Sequence, residues 1–446
     1  MVFPSNMMSR LTCLKILKIE RCKLLEGVFE VQESNTSKKS IDLLPSWRHL
    51  ELIELSNLQY IWEKYPCELL NVKNIEILFI RECPKFKRKY PHQLEQLEID
   101  LSELEEILKK EKSTHMLKHD ESETSSKDEI KQLLNGRNSF FRLKCLKLYS
   151  SFDYRSTHLP MEIVQILHNL EEFEVRKTLF EEVFPIERLD NVEEWQNERR
   201  YKLSSLNLSE LPKLRHLWNG DLQKNNSSIF QNLTELNVSS CGILNMSMSS
   251  SMWFRNLRWL MVEKCHKLTY LLNPSVARSM VQLLYLVVND CKRMTTVIAR
   301  GVEEENDEIL FKRLFYIRLK DLPKLRSFHS EKRTIKFPTM KGIHLQNCPE
   351  MRDFSLGIVS TPRLFMENIG FHDSTGEWCP ILKDSRDIIV EDINVTIQQA
   401  WEDHENTNLQ CLFEEENFEE NQCDPLASSS HVEELESNFN HPNNQD

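Results

Sequence analysis

The feature that most constrains this chain is a line of apolar residues that recurs twelve times at nearly regular spacing. Each copy has an apolar residue at an origin, others at +3 and +5, and usually Cys or Leu at +8. Three consecutive copies read LTELNVSSCGIL (233–244), LRWLMVEKCHKL (257–268) and LLYLVVNDCKRM (283–294). Origins fall at Leu14, Leu50, Ile75, Leu94, Leu143, Leu170, Leu203, Leu233, Leu257, Leu283, Leu314 and Met340. From Leu203 onward the steps are 30, 24, 26, 31 and 26 residues, whereas earlier steps run from 19 to 49. Alternation at +3 and +5 is strand spacing, with +2, +4 and +6 on the opposite face. A single short strand cannot bury its own leucines, so the copies must stack.

The line L-x-x-L-x-L-x-x-C at this period is the leucine-rich-repeat signature. It predicts an α/β repeat solenoid, a horseshoe with short parallel strands on its concave face. Cys22, Cys83, Cys241, Cys265, Cys291 and Cys348 occupy +8, where a small inward side chain fits under the turn. A second anchor follows at +11, as at Leu25, Ile61, Leu268 and Met351. Pro84, Pro212, Pro323 and Pro349 at +9 are expected to stop the strand, because proline has no N–H for the ladder.

The repeats assign residues 1–356 to one array and 357–401 to a C-terminal cap over the last strand edge. In the array, 103–140 reads as a mobile polar insertion, with a charged helix suggested by ELEEILKKEKSTHM. The segment LPMEIVQIL (159–167) resembles the opening of an F-box, but the repeat at Leu170 follows too closely for the rest of that module. It reads instead as a connector with Ile163, Ile166 and Leu167 on its buried stripe.

Net charge is −12, and it resides in the tail: Asp387–Asp446 holds 16 acidic residues and no Lys or Arg. The nearly neutral array gives no case for nucleic-acid binding, and 402–446 reads as an acidic disordered tail. No stretch is long and apolar enough for a membrane span, and the N-terminus lacks a secretory pattern, so the expected location is cytoplasmic. Reduced cysteines follow from that setting, and the N-x-S/T triplets at Asn207, Asn232, Asn237 and Asn394 become chance matches.

Searching for chemistry returns no phosphate-cradling glycine loop among nine glycines, no C-x-x-C pair, no H-E-x-x-H and no G-x-S-x-G elbow. Neither catalysis nor a cofactor is expected. What remains is the outward face of the strands. Its +2 row ends Trp259, Tyr285, Tyr316, Gly342 and its +4 row ends Met261, Val287, Arg318, His344. Elsewhere these positions are mostly polar, as at Glu54, Glu98, Glu172, Glu174, Ser205, Asn207, Glu235 and Asn237. An aromatic row rimmed by Arg is the composition of a partner hot spot, so Trp259, Met261, Tyr285, Val287, Tyr316, Arg318 and His344 are the candidate partner-binding residues. The competing expectation is that cross-strand aromatic pairs simply stabilise the ladder.

SELPKLRHLW (209–218) and KDLPKLRSF (320–328) alternate with Cys-type lines such as EKCHKL (263–268) and QNCPEM (346–351). In combination these phrases resemble the repeat region of plant intracellular immune receptors, the nucleotide-binding leucine-rich-repeat proteins of the coiled-coil class. EDINVTIQQ (391–399) resembles the segment that often closes such a receptor. The resemblance covers most of 1–401 and implies a non-catalytic recognition and autoregulatory domain without its nucleotide-binding domain. The implied partners are a pathogen effector, a guarded host protein or that nucleotide-binding domain. A substrate receptor of a ubiquitin ligase, or a free decoy or adaptor, is the alternative that such repeats also suit.

Overall fold

In the computed structural model, twelve five-residue strands pair in chain order into one parallel sheet. The structure describes residues 11–30, 46–62, 74–86, 94–116, 142–150, 156–160, 167–184, 201–218, 230–242, 254–301, 308–361, 364–372, 378–380, 389–390 and 392–406, with a few single positions. The strands begin at Ile16, His49, Ile77, Gln96, Cys145, Glu172, Ser205, Glu235, Trp259, Tyr285, Tyr316 and Gly342. Each therefore spans +2 to +6 of its repeat. Registers are continuous across the stack, as in Leu206↔Leu236, Leu236↔Leu260 and Leu260↔Leu286. The +3 and +5 side chains form one core that runs from Leu17 to Leu345. This is the expected leucine-rich-repeat solenoid.

The second origin is corrected. The register Ile16↔His49 and Leu17↔Leu50 places it at Trp47 rather than Leu50. Trp47 is buried, Leu55 and Leu58 fill +8 and +11, and the Leu58 N–H closes the turn onto the Leu55 carbonyl at 3.2 Å. Leucines spaced by three make the line nearly self-similar under a three-residue shift, and only Trp47 breaks the ambiguity. Glu54 accordingly leaves the strand face, and His49 and Glu51 take +2 and +4.

The strand stop is also corrected. Among the described residues ten non-glycine positions have positive φ: Arg21, Glu54, Glu82, Lys177, Glu210, Ser240, Lys264, Asp290, Asp321 and Asn347. All stand at +7. The strand ends at +6 whether or not proline follows at +9. A left-handed conformation costs an L-residue about 1 kcal/mol or more. In eight of the ten a further ladder bond offsets part of that cost, because the +7 N–H reaches the +6 carbonyl of the next repeat. Examples are Lys264 to Asn289, Asp290 to Lys320 and Asp321 to Gln346, at 2.9–3.0 Å.

At +8, Cys83, Cys241, Cys265, Cys291 and Cys348 are buried. Their thiols point back to carbonyls of the strand just ended and, in four of the five, of the preceding repeat. Cys348 Sγ lies 3.4 Å from the Gln346 oxygen and 3.5 Å from that of Leu319. Cys22 departs from the expectation and is exposed, because it sits on the first strand of the sheet with no earlier repeat packed over it. Ser102 departs as well: the chain goes directly into the helix Leu101–Met116, which inserts Leu101, Leu104 and Leu108 instead. The rest of the expected insertion, 117–139, lies outside the described residues.

Opposite the sheet, the described connectors are mostly short parallel ribbons rather than helices. Thr296–Ile298 pairs Ser327–His329, and Ile309–Leu310, Ile335–Lys336 and Val359–Ser360 form a triple. One short helix, Pro274–Ser279, is capped where the Val276 N–H donates to Asn273 Oδ1 at 2.8 Å. Phenylalanines three residues before the origin (Phe140, Phe230, Phe254, Phe311, Phe337) are buried, and the Phe311 and Phe337 rings stack at 5.3 Å. Sequence reading missed this position, although SIF, MWF, ILF and IKF precede four origins. In the F-box-like segment, Leu159, Ile163 and Leu167 are core residues, and Ile166 lies outside the described residues.

Past the twelfth strand, Leu364–His372 pairs in parallel with it, and two antiparallel strands follow. The helix Ile393–Asn406 then buries Ile393 and Ile397. Asn394 ties it to the array: its Oδ1 accepts from the Phe354 and Ser355 N–H groups, and its Nδ2 donates to the Ser355 carbonyl at 2.8 Å. Met1–Asp403 forms one compact unit. The tail beyond residue 406 lies outside the described residues.

Candidate functional site

The +2 and +4 positions are delivered to one face by the register just described, so its chemistry follows from sequence order. Over the second to sixth repeats the face is charged. Glu98, only 4% exposed, accepts from Arg81 at 2.9 Å and is also held by Arg176 from two repeats further on. Arg176 and Lys147 both approach Glu174, at 3.8 and 3.7 Å. Lys147 lies over the Phe79 ring, and the Tyr149 hydroxyl donates across the fourth strand to the Ile80 carbonyl at 2.8 Å. That carbonyl is available because the third and fourth strands pair only from Ile77 to Phe79.

Through the seventh and eighth repeats the face is amide and hydroxyl. Asn237 donates to Asn207 at 2.7 Å. Burial holds the Glu235 carboxyl above its ordinary range, partly offset by a hydrogen bond from Ser205.

From the ninth repeat the face becomes aromatic. Trp259↔Tyr285, Tyr285↔Tyr316 and Tyr316↔Gly342 are cross-strand partners, so the three rings and the glycine follow one row. The Trp259 and Tyr285 centroids are 4.8 Å apart and tilted by 36°. A Cβ on residue 342 would stand 2.8 Å from Tyr316 Cδ2, so only glycine leaves Tyr316 its place over the twelfth strand. Burial pushes the Tyr285 phenol up. Phe315, one residue before its strand, joins the row 6.1 Å from Tyr285, with the Lys341 ammonium 5.5 Å over its ring.

The second row reads Met261↔Val287↔Arg318↔His344. Val287 and His344 are each 8% exposed, so they form its floor, while Met261 and Arg318 stand half-buried. Burial lowers the pKa of His344, and the Arg318 and Lys320 charges push it further down. A hydrogen bond to Gln346 Oε1 at 3.2 Å pulls the other way. His344 is therefore neutral at pH 7. The seven residues singled out from sequence thus lie on one contiguous surface. Phe315, Asn289 and Lys320 adjoin it and were missed, because +1 was not read as a face position and the +6 row, though placed on that face, was not searched for site residues.

Burial makes some thiols of the array inert, whereas the hydrogen bond with Cys241 moves the Cys265 thiol down. Burial pushes the Cys291 and Cys348 thiols up to about 12, and the exposed thiols among the described residues are Cys13 and Cys22. Among the described residues no three His, Cys, Asp or Glu side chains converge as a metal site. No described helix is long and apolar enough to cross a membrane. The triplet asparagines are structural: besides Asn237 and Asn394, Asn232 donates to the Tyr201 carbonyl.

Compared with known families, the chain matches the family described as plant disease resistance protein RPS2-like, leucine-rich repeats, over residues 1–111, 113–253 and 245–356. No individual curated protein matches it.

Proposed function

Because this chain belongs to the RPS2-like leucine-rich-repeat family of plant disease resistance proteins, we propose that it recognises a protein partner in plant innate immunity through the face of repeats nine to twelve. Repeat arrays of this type serve as protein-interaction surfaces rather than catalytic ones. The observation that carries this reading is the in-register row Trp259, Tyr285, Tyr316, Gly342, backed by Met261 and Arg318. Rigid aromatics on a sheet offer large contact area at low entropic cost, and such anchors dominate interfaces.

The finer assignment is a recognition and autoregulatory domain of a coiled-coil-class receptor, working in the cytoplasm. It is supported by the SELPKLRHLW and KDLPKLRSF phrases and by the closing EDINVTIQQ segment. We assign 1–356 to the array, 357–401 to its cap and 402–446 to a solvating acidic tail. The partner is a pathogen effector, a guarded host protein or the nucleotide-binding domain of a receptor.

Calorimetry of the full chain against the nucleotide-binding domain of a family receptor tests the autoregulatory arm. Association on the order of micromolar, lost on joint replacement of Trp259, Tyr285 and Tyr316 by Ser, is the expected result. Equal binding by both chains would move the site off this face. No binding by the folded wild type would remove the autoregulatory role.

A further inference from the structure

On the aromatic end of the sheet, the fold leaves a donor and an acceptor unanswered on neighbouring strands. Arg318 Nε and Asn289 Oδ1 are both buried from solvent, and neither has a hydrogen-bond partner among the described residues. Val287↔Arg318 and Asn289↔Lys320 are cross-strand pairs, so the two side chains stand on adjacent strands, one at +4 and one at +6. Buried polar atoms are rarely left in this state, because each forfeits hydration without replacement.

His49 Nε2 and Asn237 Oδ1 likewise lack a hydrogen bond elsewhere on the face, so the contrast lies in the cations. Arg81 and Arg176 close on Glu98, Lys147 on Glu174 and Lys18 on Glu51. Arg318 has no carboxylate among the described residues. Those nearby are engaged elsewhere: Glu263 with Lys264 at 3.1 Å, Asp290 with His266 at 3.9 Å, and Asp321 with the Asn347 amide at 2.9 Å. Its own row, Met261, Val287 and His344, carries no negative charge. Lys320 adds a second cation two residues along the same strand, about 7 Å away.

We propose that Arg318 is the anion-accepting point of the recognition face, taking an Asp or Glu carboxylate of a protein partner. An apolar side chain close to that carboxylate seats on Trp259, Tyr285 and Tyr316. The planar guanidinium suits a carboxylate geometrically, and Asn289 Oδ1 accepts an N–H from the same segment. The charge pattern favours a protein over a nucleic acid. The array is nearly neutral, and its few cations here, Arg318, Lys320 and Lys341, are too little positive surface to hold a phosphate backbone. This inference rests on the recognition reading above and adds the partner's chemistry to it.

The test uses immobilised twelve-residue peptides in matched pairs, identical except that Asp or Glu two residues from Phe or Leu is replaced by Asn or Gln. The full wild-type chain, Arg318→Gln and the triple Ser variant are passed over them. The wild type should retain acidic peptides about tenfold better than their amide partners. Arg318→Gln should bring that ratio to about one while weaker, ring-dependent binding persists, and the triple variant should lose both. No acid preference in the wild type, or a preference that survives Arg318→Gln, overturns the proposal and leaves the aromatic face standing. Binding that survives the triple variant overturns the face itself. Stronger retention by immobilised oligouridylate than by any acidic peptide also overturns it, since Arg318 would then serve a phosphate.

Discussion

Two stretches of one sheet, built on the same backbone plan, treat charge in opposite ways. Over repeats three to six a buried carboxylate, Glu98, is clasped by guanidiniums from both sides, and the face answers its own charges. Over repeats nine to twelve the rows are aromatic, and Arg318 has no counter-charge among the described residues. Beneath both lie the same leucines, with the same pairing. The strands' inner side makes the fold, so the outer side is free either to reinforce it or to stay available. The first stretch reinforces, and the second stays available.

The largest test of this contrast is Glu98→Ala. It removes the buried carboxylate that Arg81 and Arg176 share, leaves Arg176 only the more distant Glu174, and should cost about 3 kcal/mol in urea unfolding. A loss below that of the triple Ser variant would break the comparison. Alkaline titration comes next. Cys291 and Cys348 keep their protons to about 12 in the fold, against an ordinary value near 9.0, and Cys145 does the same in the charged stretch. These raised values favour the fold below pH 9, and that advantage drains away as pH climbs toward 12. Each thiol should take away up to about 1.4 kcal/mol per pH unit in that window. Unfolding midpoints followed from pH 8 to 11 check it, and a flat profile would mean the thiols are not sealed.

Replacing Trp259, Tyr285 and Tyr316 together by Ser should cost about 1–2 kcal/mol, the worth of cross-strand ring pairs, while abolishing partner binding. A loss beyond about 4 kcal/mol would make the row structural, like Glu98. The finest comparison sets two arginines side by side. Arg176→Gln should cost about 1–2 kcal/mol, whereas Arg318→Gln should shift stability by less than about 0.5 kcal/mol. Equal losses in thermal melts would erase the distinction between the two faces.

The leucine spacing made the repeats, and with them the two face rows, legible from sequence. Once an origin is right, +2 and +4 follow, which is why Trp259, Tyr285 and Tyr316 could be placed in register without coordinates. The second origin slipped because its leucines tolerate a three-residue shift and the true origin, Trp47, is not an aliphatic. The +7 turns were hidden for a different reason. Residues such as Arg21, Glu210 and Asp290 carry no signature of a left-handed conformation, which goes with a backbone bond to the next repeat that no local pattern shows. Contacts between non-adjacent repeats were equally hidden. Arg176 reaches Glu98 across the fifth strand, and a sequence separation of 78 leaves no trace of it in local pattern.

That clasp has a mechanical consequence. Pulled from its two ends, a stack of this kind peels one strand at a time, because the ladder bonds between neighbours are loaded along their own axes. A released repeat of about 26 residues would lengthen the tether by roughly 90 Å. Repeats three to six would not part singly. Arg176 to Glu98 and Tyr149 to Ile80 each stitch strands that are not neighbours, and Arg81 to Glu98 ties the third strand to the same carboxylate. The force trace should therefore show one tall step in a staircase of low ones.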